Sequence, residues 1–194
     1  GATSNIYFNT ICLNGAPTSG SLNSACYYNA SNQSTRNIRN NLFINARSNS
    51  GASGTHYASY FSGTGGSLTI DYNDYIASGS GGVLGYYGGN RTTLDGWKSA
   101  TGQDAHSLDL DPGFASPGGS VAMDYIPSAA LTAATGTGIT TDYGGTARSL
   151  TSPEMGAWEQ NNTAIWNGST DTDWSVAGNW STGSVPTAST NVTI

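Results

Sequence analysis

A short apolar segment with an asparagine inside it recurs at one fixed interval in the first half of the chain. Residues 6–11 (IYFNTI) return in degraded form as residues 38–43 (IRNNLF) and 70–75 (IDYNDY), each 32 residues after the one before. A repeat of this size, carried by an extended apolar segment, is typical of a coil of stacked parallel β-strands whose turns bury their apolar faces against one another. The sequence therefore predicts repeated β-coils over residues 1 to about 90.

The position of each residue in the repeated segment predicts its environment. Two apolar columns, at its first and sixth positions, are expected to point inward: Ile6, Ile38 and Ile70, and Ile11, Phe43 and Tyr75. The column between them consists of Asn9, Asn41 and Asn73. Asparagine tolerates the left-handed dihedrals of a sharp bend, and stacked amides can bond to each other along the coil axis. These three residues are predicted to form a ladder, with three independent turn residues as the alternative.

The composition supports many short strands and excludes two classes of partner. Of the 194 residues, 36% are apolar, 9% are charged and 27 are glycine, and aromatic residues are too frequent for a disordered linker. The formal net charge of −6, without a cluster of lysine or arginine, disfavours nucleic acid. A membrane span is not expected either, because no apolar run approaches about 18 residues.

The sequence divides into two predicted regions. Residues 1–160 are expected to hold the coils and a closing region, with one short helix after Thr93 that ends at Gly102 and an extended segment at residues 106–110. The period breaks at Val83. Residues 161–194, with Trp166-Asn167-Gly168, two more tryptophans and Val185-Pro186-Thr187, are expected to begin another module of a longer protein.

Cys12 and Cys26 are the two cysteines of the chain, and their spacing fits neither a metal site nor a redox motif. Cys12 falls in the same repeat column as Ile44, and Cys26 aligns with Ala58. Two small buried apolar side chains are the favoured interpretation. A disulfide across the first coil is the alternative, since the composition fits a secreted protein.

Several segments of residues 1–160 resemble right-handed parallel β-helix proteins of the pectate-lyase-like superfamily. The likeness is to the last coils and C-terminal end of versions found in large secreted or surface proteins of Bacteroidetes-type bacteria. The matching segments are residues 37–45 (NIRNNLFIN), 68–75 (LTIDYNDY), the helix with Trp97, and residues 105–114 (AHSLDLDPGF), 142–148 (DYGGTAR) and 155–159 (MGAWE). The resemblance implies an all-β, right-handed parallel β-helix with a short helix and an irregular C-terminal cap. It implies no activity, because this scaffold carries lyases, hydrolases and adhesins.

The cationic residues do not form the pattern of a lyase site. Lyases on this fold need a basic residue beside a uronate, together with calcium or further cations. Lys98 lies in the predicted helix outside the coils, and Arg36, Arg39 and Arg47 have no second cation one coil away. Turn-capping or solvated roles are therefore expected for them, and no catalytic residue is assigned.

The carboxylates and histidines do not indicate a catalytic or metal site with any specificity. Asp71 and Asp74 are expected to face opposite sides, whereas a hydrolase needs paired carboxylates in one cleft. Asp109 and Asp111 share a face, so an oxygen-rich calcium site is one interpretation and a simple Asp-Pro turn is the other. The two histidines are expected to be solitary surface or turn residues: His56 and His106.

The tryptophans are expected mainly to cover the exposed end of the coils, and stacking on sugar rings is the alternative. The five are Trp97, Trp158, Trp166, Trp174 and Trp180. The favoured function is a non-catalytic, adhesin-like structural element of an extracellular or cell-surface bacterial protein that contacts glycans. The alternative is the terminal part of a polysaccharide lyase or glycoside hydrolase whose active site lies upstream.

Overall fold

The computed structural model describes residues 2–32, 34–159, 163–180, 185–186 and 191–194. Gln160, at the predicted boundary, and Thr187, in the last tail motif, lie outside the described residues. The chain divides into two compact units, residues 1–159 and 160–194. It is mostly β-sheet with one short α-helix, which confirms the all-β prediction.

Nine strands of the first unit form three parallel sheets, and each repeat contributes one strand to each sheet. In chain order the strands are β1 (Thr3–Tyr7), β2 (Thr10–Leu13), β3 (Ser24–Asn29), β4 (Thr35–Arg39), β5 (Leu42–Asn45), β6 (His56–Phe61), β7 (Ser67–Asp71), β8 (Asp74–Ala77) and β9 (Gly82–Tyr87). The parallel sheets have the orders β1-β4-β7, β2-β5-β8 and β3-β6-β9. In the first sheet Ile6 pairs with Ile38, and Ile38 pairs with Ile70, so the sequence repeat is also the pairing register.

The third repeat keeps its third strand although the period breaks at Val83. Ser24 pairs with His56, 32 positions later, but His56 pairs with Gly82, only 26 positions later. The segment before β9 is thus six residues shorter than its counterpart before β6. A short strand β10 (Asn90–Arg91) then pairs antiparallel with β9 and continues this sheet at one edge.

The inward apolar columns form the core that was predicted. Side chains from all three sheets pack into one cluster, whose buried members are Ile38, Phe43, Ala58, Phe61, Ile70, Tyr75, Leu84 and Trp97. Ile6 and Ile11, in the first repeat, pack against it and are half-buried. Burial of a continuous apolar column between paired strands is the main force that stabilises such a stack.

The asparagine ladder is present as predicted. The Asn9 amide Nδ2 donates to Asn41 Oδ1 at 3.0 Å, and Asn41 Nδ2 donates to Asn73 Oδ1 at 2.9 Å. The backbone N–H groups of Asn9 and Asn41 donate to the same two oxygens. Beyond the third repeat, the Asn73 N–H donates to Ser107 Oγ at 2.8 Å, so a hydroxyl takes the place of a fourth asparagine.

The left-handed residue of the bend is not the ladder asparagine but the residue before it. Phe8, Asn40 and Tyr72 have φ values of 57°, 65° and 54°. This corrects the expectation from asparagine's own dihedral preference, since two of the three positions hold an aromatic residue, for which positive φ is rare. The bend leaves the following asparagine in position to bond along the stack.

The α-helix found among the described residues places the largest buried side chain at the end of the core. Helix α1 (Leu94–Thr101) is capped by Thr93, whose hydroxyl accepts from the Gly96 N–H, and ends at Gly102 in the left-handed conformation, as predicted. Trp97 packs on Tyr75 in the last repeat with ring centroids 5.5 Å apart. Gly85 is necessary here, because a Cβ at this position would lie 2.4 Å from the indole. The capping role is therefore confirmed for Trp97.

A second core lies on the other face of the sheet β2-β5-β8. Leu42 and Ile44 alternate along β5 with the inward Phe43 and pack instead against residues of the later part of the unit. The buried members of this cluster are Phe8, Leu42, Ile44, Phe114, Leu131, Ala133 and Met155. The region predicted to close the end of the coils thus packs along the outside of one sheet.

The two cysteines lie in different clusters and both are free. Cys12 packs against the second core, and Cys26 packs against the first. Burial raises the pKa of the Cys26 thiol to about 12, so the group stays protonated at neutral pH. Their half-buried positions among apolar side chains agree with the favoured interpretation, and the structure holds no disulfide between them.

The second unit pairs β11 (Thr163–Ile165) with β12 (Asn191–Thr193) in parallel. Trp166, Trp174 and Trp180 pack on each other with ring centroids 5.1 to 5.6 Å apart. Asn179 is buried beside them and donates to Asp171 Oδ1 at 2.7 Å. These three tryptophans thus form one aromatic cluster within the second unit, and their predicted covering of the coils stays a prediction.

Candidate functional site

A cavity of about 680 Å³ lies between the first repeat and the later part of the same unit. We call it the aromatic cleft, after five rings that line it: Tyr7, Phe8, Tyr125, Tyr143 and Trp158. Two charged residues, Asp142 and Arg148, also line it. Its size and mixture of aromatic and polar groups are those of a small-molecule site.

The position of the Trp158 ring is fixed by a hydrogen bond and by close packing against a glycine. Its Nε1 donates to the Ala122 carbonyl at 3.0 Å. The indole lies so close to Gly144 that a Cβ there would come within 2.7 Å of Cζ3. Tyr143 meets the same indole edge-on at 5.3 Å and is 72% exposed. The cleft therefore presents a fixed indole beside an exposed phenol.

Arg148 is buried at the cleft, and both of its Nη atoms are hydrogen-bonded, whereas its Nε has no partner. Its guanidinium carbon lies 3.9 Å from the centroid of the Phe8 ring, and its Nη1 lies 3.1 Å from Glu159 Oε2. Further donations go to the carbonyls of Glu154 and Gly156. Burial lowers the pKa of Arg148 from its usual value, and the neighbouring Glu159 carboxylate opposes that shift.

Asp142 holds together the two segments that carry the exposed rings. Its Oδ1 accepts from the Thr146 N–H at 2.7 Å, and its Oδ2 accepts from the Glu159 N–H at 3.0 Å. The adjacent Tyr143 N–H donates to the Ala157 carbonyl at 2.8 Å. Since both oxygens receive backbone donors, this carboxylate has a positioning role.

The predicted cations do not line the cleft: Arg36 and Lys98 bond to loop carbonyls, in agreement with the expected capping role, whereas Arg39 stacks on a ring. Arg36 is fully buried and donates to the carbonyls of Gly63 and Gly65, one repeat below. Arg39 lies over the Tyr7 ring at 5.3 Å. Lys98 is half-buried and donates to the Ala105 carbonyl. The structure does not bring these side chains together into one site.

Both histidine predictions are wrong: His56 is buried and does not lie at the surface, and His106 has close partners and is not solitary. His56 is fully buried, with Nδ1 2.9 Å from Ser24 Oγ and Nε2 3.0 Å from Asn49 Oδ1. His106 is exposed, but its Nδ1 lies 2.8 Å from Asp71 Oδ2 and its ring stacks on a tyrosine. Ser24 and Asp71 lie about one repeat away from their histidine partners, so these pairs are not evident from the sequence.

The structure gives the Asp-Pro segment a turn-forming role. Asp111 Oδ1 accepts from the Gly113 N–H at 2.9 Å, as in an Asx-type turn. Within the part of the chain that the structure describes, no group of three or more His, Cys, Asp or Glu side chains is placed to hold a metal ion. The exposed Asp109 and Asp111 instead act on a buried carboxylate, Asp74.

Asp74 is fully buried at the start of β8. Its Oδ1 accepts from the Leu110 N–H at 2.9 Å, while its Oδ2 has no hydrogen-bond partner. Burial raises the pKa of Asp74 to about 7, and the charges of Asp109 and Asp111 add to the shift. Asp71 points instead to His106, so the two carboxylates face different partners, as expected.

Because the pKa of Asp74 is raised, we expect the free energy of unfolding to fall as the pH rises from about 4 to about 7. Because the folded state binds the proton more tightly than the unfolded state, its contribution is fully present below about pH 4 and lost as pH rises to about 7. We expect Asp74→Asn to remove this fall, which is on the order of 4 kcal/mol. Urea unfolding at several pH values measures it.

Asp95→Asn is the matched control for this prediction, since Asp95 is an exposed aspartate in the first turn of α1. It should keep the wild-type pH dependence. An unchanged slope in Asp74→Asn would contradict the assignment of the buried titrating group.

Among the described residues, no helix has the length and apolar character needed to cross a membrane.

Comparison with known proteins gives no relative from which a role could be transferred. No family model, no curated protein and no solved structure matches the chain. The cleft was not predicted from the sequence, because residues 142–148 and 155–159 indicated only the fold. The side chains of these segments that line the cleft are the basis for the proposed function.

Proposed function

We propose that residues 1–159 are a right-handed parallel β-helix segment of an extracellular or cell-surface bacterial protein. The segment serves as a rigid, non-catalytic element that contacts glycans through the aromatic cleft. Three parallel sheets around one core support the β-helix, and right-handed crossovers are the rule between parallel strands. A surface with few charges and many glycines supports an adhesin-like role outside the cell.

The observation that carries the glycan role is a pair of adjacent rings in the cleft, the exposed Tyr143 and the half-buried Trp158. Trp158 and Tyr143 are adjacent and accessible, and the indole is held by Ala122 and by contact with Gly144. The C–H faces of a sugar ring pack on such rings without a large loss of side-chain entropy, because the rings are already ordered. The scaffold beneath them is stiffened by the paired strands and the asparagine ladder.

The charged groups of the cleft favour binding over cleavage. Glycoside hydrolysis requires two carboxyl groups on either side of the bond. The cleft is lined by one, Asp142, whose oxygens already accept backbone N–H groups. A lyase requires a basic group free to take a proton, whereas Arg148 is held by Glu159 and two carbonyls.

Trp158→Ala is expected to weaken glycan binding by at least about tenfold, because it removes the fixed aromatic face. Isothermal titration calorimetry of the chain against hits from a glycan array measures the change. Trp174→Ala is the matched control, since this indole is 51% exposed but lies in the second unit. Equal binding by the wild type and both variants would remove the cleft as the glycan site. Lys98-dependent cleavage of polyuronates would overturn the non-catalytic role.

A further inference from the structure

We infer that the aromatic cleft selects uncharged saccharides and discriminates against uronates. This inference rests on the proposed glycan-binding function and concerns the same site. It follows from which charges line the cleft and from what each of them already binds.

The one cation that lines the cleft is not free to bind a carboxylate. Recognition of a uronate uses the two parallel N–H donors of an arginine or the point charge of a lysine. The Arg148 Nη1 donates at 3.1 Å both to Glu159 Oε2 and to the Glu154 carbonyl, and Nη2 donates at 2.9 Å to the Gly156 carbonyl. One face of the guanidinium is covered by the Phe8 ring. Arg148 is also 6% exposed, so an incoming anion cannot reach it without breaking these contacts.

The balance of charge at the cleft is negative. Arg148 forms an ion pair with Glu159 and is also close enough to Asp142 to feel its charge, so two carboxylates share one cation. Arg39 does not line the cleft; it lies over the Tyr7 ring and borders a neighbouring cavity together with Asp71. The chain as a whole carries a net charge of −6. A uronate therefore meets a negative site and gains no ion pair.

An uncharged sugar meets the opposite conditions. Its C–H faces can pack on the Trp158 and Tyr143 rings, and this apolar contact does not depend on charge. Its hydroxyls can exchange hydrogen bonds with the exposed hydroxyls of Thr141 and Tyr143, which also line the cleft. A neutral sugar therefore binds without bringing a charge close to the buried carboxylates.

Titration calorimetry of the full chain with three neutral hexasaccharides (cellohexaose, mannohexaose and chitohexaose) and with hexagalacturonate tests this inference. We expect at least one neutral sugar to bind about tenfold or more tightly than hexagalacturonate, because one uncompensated charge near a protein surface has an effect of this order. Added salt should reduce the difference by screening the repulsion. Equal or tighter binding of hexagalacturonate, lost in Trp158→Ala, would overturn the inference and leave the proposed function standing. Absence of binding by every sugar would overturn both.

Glu159→Gln supplies a second measurement that depends on the charge at the cleft. Loss of the Glu159 charge leaves Arg148 and Asp142 with no net negative charge, so the preference for neutral sugar over hexagalacturonate should decrease severalfold. Asp95→Asn removes an equal charge from an exposed site on α1 and should leave the preference unchanged. A preference that is equal in both variants would contradict the role of Arg148 and Glu159. The wild-type ratio and its salt dependence decide the inference even if Glu159→Gln fails to fold.

Discussion

Trp97→Ala is expected to lower the free energy of unfolding by about 5 kcal/mol, the largest effect of any single substitution considered for this protein. Trp97 is fully buried and is among the largest completely enclosed side chains. Its ring contacts Phe61, Tyr75 and Tyr87, so truncation leaves a cavity at the end of the core that the paired strands cannot close. Urea unfolding followed by far-ultraviolet circular dichroism measures the loss.

The substitution also removes a hydrogen bond to a buried carboxylate. Trp97 Nε1 donates to Asp104 Oδ2 at 2.7 Å, and Asp104 accepts further bonds from Tyr75 and Ser107. Trp97→Phe separates the two effects, because it keeps most of the ring and removes the N–H. We expect it to cost about 2 kcal/mol.

Trp174→Ala is the control for the Trp97 variants, since Trp174 is 51% exposed and lies in the second unit. We expect it to leave the unfolding of residues 1–159 almost unchanged. A loss below about 1 kcal/mol in Trp97→Ala would show that the indole does not close the core.

Asn41→Ala is expected to lower the free energy of unfolding by about 4 kcal/mol, because several buried polar groups lose their partners at once. The amide of Asn41 donates to Asn73 Oδ1 and to the carbonyls of Ile6 and Arg39, each within 3.0 Å. Its oxygen accepts from the backbone and side chain of Asn9. Urea unfolding again provides the measurement.

Asn37→Ala is the matched control for the ladder. Asn37 lies in β4 of the same repeat, and its amide donates to Asn5 Oδ1 at 2.7 Å on the exposed side of the sheet. Water can replace this bond, so we expect a loss of about 0.5 kcal/mol. Similar losses in the two variants would mean that burial of the ladder adds nothing to stability.

The ladder and the core could be predicted from the sequence, but the conformation of the bend could not. Ile6, Ile38 and Ile70 pair directly, which the 32-residue period had indicated. Asparagine's tolerance of positive φ pointed to Asn9 and its copies, whereas Phe8 and Tyr72 adopt it. The ladder asparagines do not have a positive φ, and they bond to one another along the stack. The positive φ of the bend lies instead at the residue before each of them.

Buried polar partners one repeat away were also hidden in the sequence. His56 appeared solitary, yet Ser24 lies directly beside it in the pairing register. His106 and Asp71 form a close pair although they are far apart along the chain. A search for catalytic patterns at short spacing overlooks such pairs, because stacking brings together residues about one period apart.

The sequence by itself determined the all-β class, the register of the three repeats, the inward columns and the single helix. These features depend on a local apolar pattern that recurs at one interval and on cap residues next to the helix, so no distant contact is needed to specify them. The aromatic cleft, in contrast, is determined only by the tertiary structure. Tyr7 and Trp158 do not occupy equivalent positions of the sequence repeat. They line one cavity because the later part of the unit packs on the outer face of the sheet β2-β5-β8. That packing depends on shape and apolar burial across the whole unit, which no spacing in the sequence encodes.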